Sequence, residues 1–558
     1  MTAAQNTVSE EKRDPPPGAF TPLRHRLFAV IWTATVLGNI GTFMRDVTST
    51  WLVTDLSTSP AAVAMIQAAG SLPIFLLAIP AGVLSDILDR RRFLIGIQVG
   101  LAIVSAILAI LASTGTVSVA GLIALTFLGG VGAALMAPTW QAIVPELVPR
   151  PDLKGAVALN SLGVNIARSI GPALGGLLLA AFGAAAVYGL DVLTYVVVSG
   201  ALLWWRREAN TDDGLREHFG GALRAGLRYA RASHELHRIL WRAILFFAIA
   251  SAVWALLPIV ARQEIGGGPS LYGLLLGSVG AGAIAGALLL PWVRARLGQD
   301  RLVLMASLVT AAATALLALT NLAVLGLIAA FVLGSAWIAM LTTLNSTMQA
   351  ILPNWVRGRG LAIYLTAFNG AMAAGSLGWG FLAQAIGVDA TLLIAGAGLA
   401  VTAGFAYRAP LPRGEGDLTP SLHWPEPALA EPVANDRGPV VITVTYRVSR
   451  PDRAGFLIAL DRLSEERRRD GAYAWGVSED AADPERIVEW FFVDSWAEHM
   501  RQHRRVSKVD ADVQAEARRF HRGPEGPAVE HFLALDVRRD SPASLSGGGI
   551  TPDSVKME

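Results

Sequence analysis

The chain contains no cysteine. That excludes disulfide cross-links, thiolate metal ligands and a cysteine nucleophile. Charge is also scarce: 16% of the 558 residues are charged, against about 25% in soluble domains. The net charge of +2 argues neither for nor against nucleic acid, and none is expected as a partner. Lysine is nearly missing, with only Lys12, Lys154, Lys508 and Lys556. No Gly-Lys-Ser/Thr triplet occurs, so there is no P-loop lysine to reach a nucleotide's phosphates. A nucleotide-driven pump is therefore not expected in this chain. Residues 1–26 are polar, include Pro15, Pro16 and Pro17, and hold no apolar core before Leu27. They do not read as a signal peptide, and the first spanning helix is expected to act as its own insertion signal.

What the chain has instead is apolar length. It is 53% hydrophobic, with a mean hydropathy of +0.47. A spanning helix needs about 20 mostly apolar residues. Twelve such runs are read at 27–53, 60–84, 92–113, 117–145, 154–182, 184–205, 238–261, 270–293, 301–320, 322–352, 358–386 and 388–408. The polar gap at 206–237 divides them into six plus six. The expected fold is an all-α membrane protein of twelve transmembrane helices in two six-helix bundles, 27–205 and 238–408. With both termini in the cytoplasm, the inside loops between the runs carry 17 Arg or Lys residues and the outside loops carry Arg262 alone. This bias gives a multi-pass orientation in a bacterial inner membrane.

The halves repeat each other. "QAIVPELV" (Gln141–Val148) returns as "QAILPNWV" (Gln349–Val356), and Asn165 and Gly171 align with Asn369 and Gly375. An even number of helices separates the copies, so the repeats run in the same direction. Parallel repeats with a site between them suggest alternating access.

After Arg408 the character changes. Residues 409–438 are rich in proline and acidic residues and read as a semi-extended linker. Residues 439–540 alternate strand and helix patterns in the order βαββαβ, a soluble α+β ferredoxin-like domain. Residues 541–558 read as a disordered tail. In the soluble part, His499 and His503 stand four apart. No HExxH pattern accompanies them, and they read as a surface pair, so no metal and no cofactor are expected. No catalytic constellation is found there, and pairing at a sheet edge, hence dimerisation or regulation, is the reading preferred.

Charges inside spanning helices are costly and mark function or pair with one another. Here they are Arg45, Asp46, Arg168 and Asp191, with Glu146 near a helix end. Asn39, Thr42, Asp46 and Thr50 form one stripe on the first helix. Asn165 and Arg168 share a face of the fifth. At 1.5 Å per residue, Asp46 lies about 27 Å and Arg168 about 21 Å from the cytoplasmic end. An Asp46–Arg168 pair is therefore expected, either as a proton-coupling switch or as a static tie between two helices. Asp191 is the weaker candidate. The second half offers neutral groups: Trp254, Asn345, Gln349 and Asn369. Such a mixed wall suits a bulky amphiphilic solute, although each amide could equally be helix–helix glue. "GSVGAGAIAG" (Gly277–Gly286) lacks the preceding strand of a dinucleotide loop and reads as close helix packing.

Two stretches resemble a known family. "GVLSDILDRRR" resembles the loop signature of the major facilitator superfamily through Gly82, Asp86, Arg90, Arg91 and Arg92, with Asp89 where that pattern has glycine. "ARSIGPALGG" resembles the fifth-helix signature of the superfamily's exporters through Gly171, Pro172, Gly175 and Gly176, with Ala167 in place of the leading glycine. Together with "WLVTDLSTSP", these are most similar to the enterobactin-exporter branch, over residues 20–408. The resemblance implies a latch at Asp86 and the three arginines that stabilises the outward-facing state, and a cavity lined by helices 1, 4, 7 and 10. The expectation is a proton-coupled exporter of a siderophore- or drug-like molecule and not an enzyme. An importer, or an exporter fused to a monooxygenase-like domain, are the alternatives.

Overall fold

The computed structural model describes residues 20–206, 219–353, 355–412, 417, 419, 421, 424, 427 and 429–535. Most of the 1–26 segment, part of the 409–438 linker and all of 541–558 lie outside the described residues. So does the Asp86 side chain.

The long helices are α1 (Arg26–Leu56), α2 (Pro60–Ile87), α3 (Arg90–Thr114), α4 (Val119–Leu147), α5 (Leu153–Phe182) and α6 (Ala184–Trp204). After α7 (Phe219–Ala232) come α8 (His234–Ile259), α9 (Pro269–Leu319), α10 (Ala323–Ile351), α11 (Arg357–Ile386) and α12 (Val388–Arg408). Among the described residues, ten helices are long and apolar enough to cross a membrane, and α12 adds a shorter apolar stretch at Val388–Gly404. The 51-residue α9 is broken at Gly298, where φ is 71° and ψ is 173°. Only glycine adopts that backbone at little cost, so two arms meet there, at the gap expected between the runs 270–293 and 301–320.

Short polar caps end the apolar runs. Ser59 accepts from the Ala62 amide ahead of Pro60, and Ser118 accepts from the Gly121 amide. Asp89 accepts from the Arg92 amide at the start of α3. The residue that departs from the family loop pattern is thus a helix N-cap, satisfying an otherwise orphaned donor.

The chain divides into two compact units. The first holds residues 1–214, 240–345 and 362–411, and so the membrane helices. One of its cores draws on both halves: Trp51, Ile66, Leu108 and Leu179 join Leu256, Leu275, Leu317 and Leu392. Another, built from Phe28, Ile31, Leu94, Ile143, Leu159 and Leu202, belongs to the first half alone.

The second unit holds residues 215–239, 346–361 and 412–558. Its strands are β1 (Val440–Arg447), β2 (Ala474–Glu479), β3 (Arg486–Val493) and β4 (Ala528–Leu533). Its helices, besides α7, are α13 (Arg453–Asp470), α14 (Trp496–Arg505) and α15 (Lys508–Arg518). The sheet order is β2-β3-β1-β4, with every neighbour antiparallel. Alternate residues of β1 and β3 are buried and meet Phe456, Leu460 and Leu463 of α13. Among them Glu489 is wholly buried, and accepts from Arg467 at 3.1 Å, Trp475 at 3.1 Å and Tyr446 at 3.2 Å. A buried carboxylate survives only with such a set of donors.

Three expectations change here. The second helix of the expected βαββαβ order is two helices, α14 and α15, because Ser507 and Asp510 form a capping box that starts α15 anew. The polar 206–237 gap contains α7. And His499 is 1% exposed, so His499 and His503 are not a surface pair: the sheet lies beneath α14.

Candidate functional site

Along α1, Thr42, Arg45 and Ser49 follow one another at helical spacing and face α6. Asp191 and Tyr195 stand one turn apart on α6, as do Tyr188 and Asp191 at three residues. The two stripes meet. Arg45 donates to the Tyr195 hydroxyl at 3.0 Å and lies 4.0 Å from Asp191. Thr42 shares the Tyr195 hydroxyl at 3.0 Å, and Ser49 meets Tyr188 at 3.0 Å. From α3, Ser105 donates to Asp191 at 2.6 Å. A glycine makes room: a Cβ on Gly129 of α4 would stand 3.2 Å from the Arg45 guanidinium.

The partner of Asp46 is Arg45 itself, at 2.9 Å. This corrects the expected Asp46–Arg168 pair. Arg168 is exposed on α5, and none of the ion pairs among the described residues involves it. Adjacent residues on a helix point about 100° apart, so sequence spacing hides an Arg45–Asp46 contact, which needs the long guanidinium to fold back. Within the cluster the burial differs sharply. Asp191 is 0% exposed, with one carboxylate oxygen lacking a hydrogen-bond partner among the described residues, whereas the Asp46 side chain is 50% exposed. One guanidinium therefore faces two carboxylates, one buried and one half-exposed.

A cavity of about 210 Å³ opens beside this cluster, lined by Asn39, Thr42, Gln98, Trp140, Asn160 and Tyr195 among others. Trp140 donates to the Asn160 side chain at 2.9 Å. Asn39 is thus a wall residue, as its place on the α1 stripe suggested. Asn165 and Asn369 behave alike: each amide donates to the carbonyl four residues back, Ser161 and Leu365, at 2.9 Å. That is local helix bonding, repeated in both halves. Trp254 packs edge-on against Trp337, with ring centroids 5.1 Å apart, and its buried indole N–H has no partner among the described residues. Asn345 is half-buried and Gln349 exposed.

The loop arginines are all engaged. Arg90 pairs with Glu146 at 2.9 Å and donates to the Ala142 carbonyl at 3.3 Å, tying α3 to the end of α4. Arg91 donates to the Leu202 and Leu203 carbonyls at 2.8 and 2.7 Å, satisfying the last turn of α6. The Arg92 amide is the donor to the Asp89 cap. Gly82 has open space around it.

The fifth-helix motif is a packing device. A Cβ on Gly175 would come within 2.8 Å of the Met44 Cα, and one on Gly171 within 2.7 Å of the Phe43 Cβ, both on α1. On the opposite side, a Cβ on Gly176 would stand 2.9 Å from the Gly273 Cα of α9. Pro172 is buried in the same contact, where protein surrounds the proline-interrupted backbone. The second copy mirrors this. Gly375 of α11 abuts Ala248 of α8, and Gly380 abuts Ala64 of α2. So α5 lies between the first helix of its own half, α1, and the second helix of the other, the first arm of α9, and α11 lies likewise between α8 and α2. The Gly277–Gly286 run packs likewise: Gly280 against Ser169 and Gly286 against Ser335.

Near the α1–α2 turn the two halves are linked. Arg262 pairs with Asp55 and donates to Thr54 at 3.1 Å. Trp51 stacks on Tyr272 at 6.1 Å between ring centroids, and Ser59 donates to Gln384 at 3.1 Å.

Two parallel halves, a seam of small residues and a family model settle the affiliation. The model described as transmembrane secretion effector matches residues 17–540. The chain belongs to the transmembrane secretion effector family. This transmembrane secretion effector is 25% identical over 361 residues to the staphyloferrin A transporter of Staphylococcus aureus (strain NCTC 8325 / PS 47), covering 64% of this chain and 89% of that one. It is 24% identical over 265 residues to macrolide efflux protein A of Streptococcus pyogenes, covering 47% and 65%. Among solved structures, a bacterial homologue of the human lysosomal transporter Spinster, inward-facing and unoccupied, superposes with a TM-score of 0.57 at 14% identity, over 70% of this chain and 97% of that one. The nucleoside transporter NupG (D323A mutant) gives 0.59 at 11%, over 69% and 99%. These likenesses establish the major facilitator fold. The secretion effector is thus a multi-pass membrane transporter of the efflux type, and the family's members are transporters, not enzymes.

Proposed function

We propose that the chain exports a hydrophobic or amphiphilic small molecule, siderophore- or drug-like, across a bacterial inner membrane by alternating access coupled to proton antiport. In this reading there are twelve spans, six plus six, with the two arms of α9 counted separately, α12 as the last span, and both termini in the cytoplasm. The relatives' names, one for staphyloferrin A and one for macrolides, support a bulky organic cargo. The observation that carries the coupling is the cluster of buried Arg45 and Asp191 with half-exposed Asp46. Two carboxylates face one guanidinium, and protonation of Asp46 weakens its pair with Arg45 and frees Arg45 to regroup. Asp46 is the exposed member that exchanges with the cavity, and Asp191 the buried one that stores the proton. Asn39 and Trp254 form cargo-facing walls. Arg168, without an ion pair, meets an anionic group of the cargo. Asn165, Asn345, Gln349 and Asn369 line the pathway as polar helix positions.

The test is transport in proteoliposomes under an imposed pH gradient. Asp46→Asn and Asp191→Asn are each expected to abolish gradient-driven transport while cargo exchange without a gradient persists. Full gradient-driven transport by both variants would end the coupling proposal.

The loop of Gly82, Asp86, Arg90, Arg91 and Arg92 acts as the latch. The Arg90–Glu146 pair is its local anchor and the Asp89 cap fixes its turn. The soluble domain, ferredoxin-like in strand order, is regulatory. Within its own unit, Arg228 of α7 pairs with Asp494 at 2.9 Å and Glu498 at 3.1 Å, and Arg505 stacks over Trp355 at 4.3 Å. Segments that join membrane helices are thus held by the soluble fold. Its outer sheet face, with Phe492 paired to Val441 and Val441 to Phe532, supports dimerisation.

A further inference from the structure

We propose that His499, His503 and His531 form a binding site for one divalent transition-metal ion, zinc being the best fit, with three protein imidazoles and an open fourth position. The site is built by two rigid elements. On α14, His499 and His503 are four residues apart and so share a face. On β4, His531 stands opposite Ile442 of β1, which stands opposite Phe491 of β3. That row lies under α14, and the three rings converge. The His499 ring centroid is 4.7 Å from each of the other two.

One ring nitrogen from each histidine lies within 4.8 Å of the others. The Nε2 atoms of His499 and His503 are 3.2 Å apart. Two imidazole nitrogens on a tetrahedral zinc, each at about 2.0–2.1 Å from the ion, stand about 3.3 Å apart. Little movement is needed to seat an ion. His499 is 1% exposed, and its Nδ1 is buried without a hydrogen-bond partner among the described residues.

The chemistry narrows the ion. The donors are nitrogen only, and the chain has no cysteine. Imidazole suits zinc, copper, nickel and cobalt ahead of magnesium or calcium, which take oxygen ligands. Three histidines leave a tetrahedral ion one place short. That place faces a cavity of about 330 Å³ lined also by Trp424, Arg467 and Glu530, where a water or an anionic donor can complete the shell. The nearby Arg467 charge does not oppose the ion strongly, because Glu489 matches it at 3.1 Å.

The test uses the full chain in detergent, carrying an affinity tag free of histidine and stripped with chelator. Titration with Zn²⁺ by calorimetry is expected to show one equivalent bound. Co²⁺ is expected to give the intense visible bands of a four-coordinate site. His503→Gln and His531→Gln, at half-buried positions, should each weaken binding by at least about 100-fold. His521→Gln, outside the cluster, should leave binding unchanged. Zinc X-ray absorption on the unsubstituted protein counts imidazoles whether or not the variants fold, and three are expected. No stoichiometric binding, binding that survives both substitutions, or fewer than two imidazoles would overturn the proposal.

Discussion

Arg45 sits at the centre of the membrane part because of what it touches. A buried guanidinium survives only if its donors and charge are answered, and Tyr195, Asp46 and Asp191 answer them. The soluble part holds a titratable group of the opposite kind. Burial, with Asp510 and Asp470 close by, pushes the Glu466 carboxyl up to about 9, although Arg469 and Arg467 pull it back. Between its ordinary value near 4.5 and 9, the folded state therefore binds a proton that the unfolded state has lost. The stability linked to that proton is complete below about 4.5 and is lost as the pH rises through 9. The domain is expected to lose at least about 1 kcal/mol between pH 5 and 9. Hydrogen exchange of α13, corrected for intrinsic rates, measures this, and Glu466→Gln should flatten the profile.

The α5 helix shows how an element can be scaffold and machinery together. Its Gly171, Gly175 and Gly176 bring it to van der Waals distance of α1 on one side and α9 on the other. Such close approach lets helices slide without side chains interlocking, and only small residues allow it. Gly176→Leu would drive a side chain into the α9 backbone at Gly273. It is expected to cost about 1–3 kcal/mol through overpacking, and to slow transport at least tenfold at unchanged membrane insertion. Transport rates normalised to inserted protein check this. A Gly378→Ala control, with open space around it, should be silent. On β4, Phe532 is 51% exposed on the outer sheet face. If that face pairs two copies, Phe532→Glu should convert a dimer to a monomer in light scattering, with the domain still folded.

For the membrane unit as a whole, the core arrangement is asymmetric. The core near the α1–α2 turn merges both halves, and Arg262–Asp55 and Ser59–Gln384 bridge them. The core that includes Phe28, Leu94 and Ile143 involves one half only. In the proposed orientation the merged end faces outward, which makes the conformer inward-facing in that reading. Arg262→Ala should release that closure and move the population toward outward-facing. The pair is half-exposed, and such pairs contribute up to about 1 kcal/mol, so the shift should reach at most about fivefold. Fluorescence transfer between labels on the two halves reads it.

Several features were already fixed by the sequence alone. Apolar run length placed the membrane helices, because lipid demands about 20 apolar residues whatever the tertiary arrangement. Period-two alternation placed the four strands, and the repeat of Gln141–Val148 at Gln349–Val356 announced two related halves. The Gly277–Gly286 run read as close helix packing, and Gly280 and Gly286 do abut Ser169 and Ser335. Contacts between elements escaped it. The ion-pair geometry of Arg45, Asp46 and Asp191 depends on how α1 meets α6. The convergence of His531 on His499 and His503 depends on the β1–β4 register, and the break between α14 and α15 on a local cap that wins over helix propensity. Composition and period determine what a segment is. Which polar groups meet is decided only by packing, because two side chains far apart in the chain share no pattern until the fold brings them together.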